Sequence, residues 1–150
     1  MMKTVYLGLG SNMGDRRRLM EQAINKIEKQ IGHVVRQSAF YETEPWGFDS
    51  EHLFLNAAIC VETALCPRCL LAATQKIERE LGRTHKTAQP LSAASSQPEY
   101  HDRPMDIDIL LYDNITVDEP DLQIPHPLMY QRDFVMTPLR EILDMADNNS

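Results

Sequence analysis

Apolar residues along the chain follow two rhythms, one of period two and one of period three to four, and the switches between them mark out elements. Residues 3–9 (KTVYLGL) read as a strand. GSNMGD follows as a turn, with Gly8, Gly10 and Gly14 read as turn residues. From 15 to 31 the apolar positions are Leu19, Met20, Ala23, Ile24, Ile27 and Ile31, the spacing of one helix face, and Gly32 is a natural stop. Residues 34–44 form a second strand ended by EPWG, and 53–63 (LFLNAAICVET) a third. A second helix is expected over 67–81, with Leu70, Ala73, Ile77 and Leu81 on one face and Gly82 after it. Residues 105–112 read as a fourth strand, a short fifth is expected near 115–117, QIPHP is extended, and 129–143 is helical in part.

The order is βαββαβ with extra C-terminal strand and helix elements. That is the ferredoxin-like plan of the α+β class, an antiparallel sheet with helices packed on it. With 150 residues, 43% apolar and 25% charged, residues 1–150 are expected to form one domain with one well-buried core. The long connection is the polar segment 83–103, which holds Pro90, Pro98 and several Ser and Ala. A loop of that length is either functional or disordered. The fold plan itself assigns no chemistry.

Charge and cysteines narrow the classes. A formal net charge of −7 repels duplex nucleic acid over most of the surface, so no nucleic-acid partner is expected. No run approaches bilayer length, and MMKTVYLGLG is too short for a secretory signal and lacks its cleavage site. A cytoplasmic location without a membrane partner is the expectation. Cys60, Cys66 and Cys69 do not suggest a disulfide framework. CPRC, at 66–69, has the spacing of a redox or metal pair at a helix start, where a thiol pKa falls. No second C-x-x-C completes a four-ligand zinc site, and the simpler reading is a helix with Pro67 in its first turn.

In DRPMDIDILLYDN, alternation places Ile107, Ile109 and Leu111 on one strand face and Asp106, Asp108 and Leu110 on the other. The two Asp Cα atoms then lie roughly 6.6 Å apart. Two readings stand: a solvated strand face, or carboxylates converging on hard divalent cations. Arg103 stands three residues before Asp106, and Arg83, His85, Lys86 and His101 lie in the adjoining loop. Metal-binding carboxylates beside cations suit a polyphosphate. GLGSNMG is not a dinucleotide fingerprint, because Met13 stands where the third Gly belongs, and no P-loop occurs. Phe54 and Asn56 share a strand face, and an aromatic ring beside an amide suits a flat, hydrogen-bonding heterocycle. Trp46 in ETEPWG, taken alone, reads as packing. IPHPLMYQRDF offers His126, Arg132 and Phe134; alone, the His reads as structural and the Arg as solvated. No nucleophile and base stand out.

Taken in order, LGLGSNMGD, SAFYETEPWG, FLNAAICVET, QKIERELGR, RPMDIDILLYDN and IPHPLMYQRDFVMTPL carry a family likeness over nearly the whole chain. The chain resembles the 6-hydroxymethyl-7,8-dihydropterin pyrophosphokinases of folate synthesis. Arg103, Asp106, Ile107, Asp108 and Ile109 match the family's R-x-x-D-[LIV]-D-[LIVM] block. The resemblance implies transfer of diphosphate from ATP to the pterin hydroxymethyl group, with release of AMP. It implies two Mg²⁺ ions on Asp106 and Asp108, with Arg83 and Arg103 as further catalytic residues. ATP contacts are implied for Gln75, Glu78, Arg83, Lys86, Arg103, His126 and Arg132, and for the backbone of Ile109 against adenine. The pterin site implied is Phe54 and Phe134 stacking, Asn56 hydrogen-bonding, and backbone groups of Thr43, Glu44, Pro45 and Trp46. With ATP near −4 and the aspartates at −2, two divalent ions leave a site near −2, which two or three Arg or His⁺ balance. A monomer is expected.

The chain departs from the family pattern in several places. Asp102 replaces the usual Gly-Pro pair, His85 stands where Arg is common, and Tyr100 takes the place of the loop aromatic. The 83–103 loop, which in the family closes over the substrates, is longer than in short members. The chain also ends soon after Asp144, where many members continue into a last strand. Two other readings stand: another two-metal nucleotidyl or phosphohydrolase enzyme on a ferredoxin-like scaffold, which uses the same carboxylates and needs no pterin, and a non-catalytic ferredoxin-like small-molecule sensor or inactive relative, which the long loop and Asp102 keep open.

Overall fold

A computed structural model describes residues 2–12, 15–43, 53–83 and 105–148. Its strands β1 (Lys3–Ser11), β2 (Gly32–Gln37), β3 (Tyr41–Thr43), β4 (Phe54–Thr63) and β5 (Asp106–Tyr112) form one sheet. The order is β2-β4-β1-β5, every pairing is antiparallel, and β3 pairs with β4. The helices α1 (Arg16–Gln30) and α2 (Pro67–Glu78) make the two crossovers. This is the expected ferredoxin-like α+β arrangement. A hairpin of β6 (Val117–Glu119) and β7 (Leu122–Ile124), a 3-10 turn (Met129–Gln131) and α3 (Asp133–Asn148) complete the described chain.

The sheet buries both faces. On one, Val5, Leu7 and Leu9 of β1 and Ile59 and Val61 of β4 pack with Met20, Ala23 and Ile27 of α1 and Leu70 and Ile77 of α2. On the other, Ala58, Cys60 and Leu110 meet Val135, Met136, Leu139 and Ile142 of α3. Both helix starts are capped. Asp15 Oδ1 accepts the Arg18 N–H at 3.3 Å, and Cys66 caps α2 ahead of Pro67. After α2 a π-turn, Arg79–Arg83, ends the helix at Gly82, whose φ of 128° is a glycine conformation.

Several expectations are corrected. Gly8 and Gly10 are strand residues, paired on both sides with β4 and β5, because β1 runs on to Ser11. The expected strand 34–44 is broken between Gln37 and Tyr41. At the break the Ser38 N–H donates to the Ala58 carbonyl at 2.9 Å, and the Ala58 N–H donates to Ser38 Oγ at 2.9 Å. A side chain thus takes over one ladder acceptor. Leu111 was expected beside Ile107 and Ile109; it packs instead on the α3 face, and Tyr112 takes its place. A register shift opposite Tyr6 and Leu7 adds one residue and inverts the alternation there. The fifth strand lies later than 115–117, at Val117–Glu119, where it finds a partner in Leu122–Ile124. Of the 83–103 loop only Arg83 belongs to the described residues, by its backbone; Gly14 also lies outside them.

Candidate active site

The strand register sets four residues in a row across the sheet: Tyr41 of β3, Asn56 of β4, Gly10 of β1 and Asp106 of β5. The next row holds Ala58, Gly8 and Asp108. These residues belong to the face that α3 covers further along. Asn56 and Asp106 are two strand spacings apart, about 9.5 Å. Between them the glycines leave a floor of bare backbone. A Cβ on residue 10 would stand 3.0 Å from Asn56 Oδ1 and 3.7 Å from Phe54 Cδ1.

The amide end of this floor is held firmly. Asn56 is buried, and its Nδ2 donates to Thr43 Oγ1 at 2.6 Å, which fixes the amide orientation. Arg16 ties α1 to β3 and to the residue just before β4, through Nη2 to Glu42 Oε2 at 2.7 Å and Nη1 to the Leu53 carbonyl at 2.8 Å. Glu141 of α3 accepts from the Ala39 N–H at 3.1 Å and the Tyr41 hydroxyl at 2.6 Å, a bond that raises the Tyr41 pKa. Phe134, in the first turn of α3, packs against the cluster that includes Ala58 and Leu110.

At the other end Asp106 and Asp108 are half-buried on one side of β5. The peptide between them is held from α2: the Ile107 N–H donates to Glu78 Oε2 at 2.8 Å. His126 is anchored by its own N–H, which donates to the Leu110 carbonyl at 3.1 Å. Its Nδ1 accepts the Leu128 N–H at 3.3 Å. That bond pattern assigns the neutral tautomer with the proton on Nε2, and Nε2 lies 3.9 Å from Asp108 Oδ1. Burial pushes the His126 pKa down, Arg132 lowers it further, and Asp106 opposes both. Arg132 is buried, its guanidinium 5.7 Å from the centre of the Phe134 ring.

A cleft of about 340 Å³ opens along the outer edge of β5, between α2 and the β6–β7 hairpin. Its walls include Leu71, Asp108, Ile109, Leu122, Gln123 and His126. Leu71, Gln75 and Glu78 lie on one stripe of α2, and Gln75 is exposed there. The structure therefore gathers Thr43, Phe54, Asn56, Asp106, Asp108, Ile109, His126, Arg132 and Phe134 around one sheet face and its edge, with Gln75 and Glu78 beside them. Glu44, Pro45, Trp46, Lys86 and Arg103 lie outside the described residues, as does the side chain of Arg83. Sequence reasoning missed the glycine floor, the hairpin wall at Leu122 and Gln123, and the hold of Glu78 on β5. Leu71 carried a signal, since it stands one turn before Gln75.

Fold and site together define a ferredoxin-like domain with a carboxylate pair between an amide-and-aromatic shelf and an edge cleft of mixed polar and apolar lining. The family model for 7,8-dihydro-6-hydroxymethylpterin-pyrophosphokinase matches residues 6–144. The 2-amino-4-hydroxy-6-hydroxymethyldihydropteridine pyrophosphokinase of Porphyromonas gingivalis is 49% identical over 142 residues, 94% of this chain and 91% of that protein. Its Bacillus subtilis counterpart is 37% identical over 146 residues, 97% of this chain and 81% of that one. The chain belongs to this family and is an ATP-dependent diphosphotransferase, a pyrophosphokinase. A solved chain, Plasmodium falciparum HPPK-DHPS with SDX-DHP, superposes with a TM-score of 0.66 at 15% identity. The match covers 91% of this chain and 40% of that one, and the likeness is one of fold.

Proposed function

We propose that the chain transfers the terminal diphosphate of ATP to the hydroxymethyl group of 6-hydroxymethyl-7,8-dihydropterin and releases AMP, a step of folate biosynthesis. The observation that carries this reading is the Gly8–Gly10 floor, which joins the Asn56 shelf to the Asp106 and Asp108 pair on one sheet face. The pterin lies at the shelf, hydrogen-bonded to Asn56 and to backbone groups from Thr43 through Glu44, Pro45 and Trp46. Phe54 and Phe134 stack on it. The adenine occupies the edge cleft against the Ile109 backbone, near Gln75, and the phosphates run toward the aspartates. His126 donates its Nε2 proton to a phosphate oxygen. Arg132, with Arg83, Lys86 and Arg103, supplies positive charge.

The aspartates fit magnesium. They are two carboxylates on one face, and no cluster of three His, Cys, Asp or Glu suited to a metal occurs among the described residues. Mg²⁺ is commonly held in this way, by one or two carboxylates with water and substrate phosphates completing its shell. Asp106 and Asp108 would hold two Mg²⁺ ions, which would supply positive charge against the transferred diphosphate. The pterin hydroxyl attacks the β-phosphorus in line, the bond to the oxygen of the α-phosphate breaks, and AMP departs. Such a transfer needs positioning and charge more than covalent help. The enzyme acts on small molecules as a cytoplasmic monomer, without nucleic-acid or membrane partners. The net charge of −7 speaks against a nucleic-acid partner. No described helix is long and apolar enough to cross a membrane.

The test is to mix purified protein with ATP, Mg²⁺ and 6-hydroxymethyl-7,8-dihydropterin and to identify the nucleotide product. AMP is expected only when pterin is present. ADP, or AMP formed without pterin, would overturn the reading.

A further inference from the structure

Cys66 and Cys69 take no part in the site above. Cys66 is the N-cap of α2, and its Sγ accepts the Cys69 backbone N–H at 3.3 Å. Both residues are exposed, whereas Cys60 is buried. The two thiols occupy the positions that Ser or Thr and Glu or Gln fill in a capping box. As a plain cap, cysteine is not among the preferred residues, so helix stability gives no reason for this pair. Helix geometry puts the Cα atoms of such residues about 5 Å apart, inside the range that a disulfide spans. The Cys69 thiol beside it, with the Cys69 N–H, holds the Cys66 pKa below the ordinary thiol value, and the Cys66 sulfur raises that of Cys69. The positive end of the α2 dipole adds to the effect on Cys66. Among the described residues no third His, Cys, Asp or Glu joins them in a metal-binding group.

We propose that Cys66 and Cys69 are a thiol–disulfide exchange site for low-molecular-weight disulfides of the glutathione class, with Cys66 attacking and Cys69 resolving. The Cys66 thiolate bonds to one sulfur of glutathione disulfide, the oxidant's S–S bond breaks, and one glutathione leaves as a thiolate. Cys69 then gives up its proton and bonds to Cys66 Sγ, and the second glutathione leaves as a thiolate. The protein loses two electrons and two protons, and the oxidant becomes two thiols. The ring closes around Arg68. That residue donates to Asp121 through Nη1 at 2.7 Å and Nη2 at 2.9 Å, and Asp121 lines the edge cleft. The exchange site therefore adjoins the latch between α2 and the hairpin.

The experiment treats reduced full-length protein with excess glutathione disulfide, quenches with acid, and follows intact mass and thiols alkylated after denaturation. The wild type is expected to lose the mass of two hydrogens, carry no adduct and keep only the Cys60 thiol. In Cys69→Ser a glutathione adduct should persist on Cys66. In Cys66→Ser, adduct formation on Cys69 should be at least about tenfold slower. A wild type that keeps all its thiols, or ends as a stable adduct, would overturn the proposal. So would equal adduct rates in the two variants.

Discussion

The Glu78 carboxylate accepts the N–H of Ile107 at 2.8 Å, on the peptide between Asp106 and Asp108. β5 is an edge strand, so this N–H finds no partner in the sheet, and α2 supplies one. The bond ties the spacing and aim of the two carboxylates to a helix. Glu78 is thus a positioning residue, whatever else it meets. Glu78→Ala leaves a buried donor unsatisfied and should cost about 1–3 kcal/mol of stability, together with a fall in kcat. Glu78→Gln keeps an acceptor and should recover most of both. Denaturant titration and steady-state kinetics check the pair. A Gln variant as impaired as the Ala variant, with the loss confined to KM for ATP, would mean that Glu78 acts on the nucleotide by charge.

Asp106→Ala and Asp108→Ala test the carboxylates themselves. Under the proposed role each substitution removes a Mg²⁺ ligand, and with it cationic charge that would neutralise the transferring diphosphate, and should lower kcat by on the order of 10²-fold or more. Each should leave thermal stability unchanged or slightly raised without Mg²⁺, because a like-charged neighbour on the same strand face is gone. Near-normal turnover in both variants would sink the metal assignment.

How much of this was legible in the sequence depended on range. Local periodicity carried α1, α2, β1, β4 and β5, and strand parity alone put Phe54 with Asn56 and Asp106 with Asp108. What parity could not supply was the partner across each strand. Gly8 and Gly10 read as turn residues because a glycine's use in a strand depends on its neighbours, here Leu110 and Asn56 at the distance of a missing Cβ. Leu111 went to the wrong face because one extra residue at a bulge inverts all that follows. The hairpin wall of the cleft depended on pairing between Val117–Glu119 and Leu122–Ile124, segments too short to show a period.

The glycine floor has a direct test. A Cβ at residue 10 would sit 3.0 Å from Asn56 Oδ1, so Gly10→Ala forces the amide to give by a few tenths of an ångström. The backbone gains from a less flexible unfolded chain, about 0.4–1 kcal/mol, which offsets much of the crowding in stability. Pterin binding has no such compensation, and its KM should rise about tenfold, equivalent to about 1.4 kcal/mol. KM for ATP should change little. Gly8→Ala is the control, since the atoms nearest its Cβ belong to the Leu110 side chain, the first at an ordinary contact distance of 3.4 Å. Equal effects of the two variants on KM for pterin would remove Gly10 from the pterin shelf.

Glu80 sets an acid limit on the α1–α2 contact. Its carboxylate receives Gln30 Nε2 at 3.1 Å, Lys76 Nζ at 3.0 Å and Lys26 Nζ at 3.0 Å. These partners, Gln30 first, hold its pKa down at about 2, against an ordinary value of 4.5. Between those values the unfolded chain binds a proton that the folded chain refuses, so folding stability rises with pH across the window. The contribution of Glu80 is therefore complete above pH 4.5 and is lost as the pH falls toward 2. The groups are partly exposed, so the effect is small and salt weakens it. Glu80→Gln should be less stable than the wild type at pH 6, and the gap should close by about pH 2.5, with a smaller gap throughout in 0.5 M NaCl. Urea midpoints measured for both proteins from pH 6 to 2.5 decide the matter. A gap that stays constant, or widens with acid, would mean that the network contributes through packing rather than through the Glu80 charge.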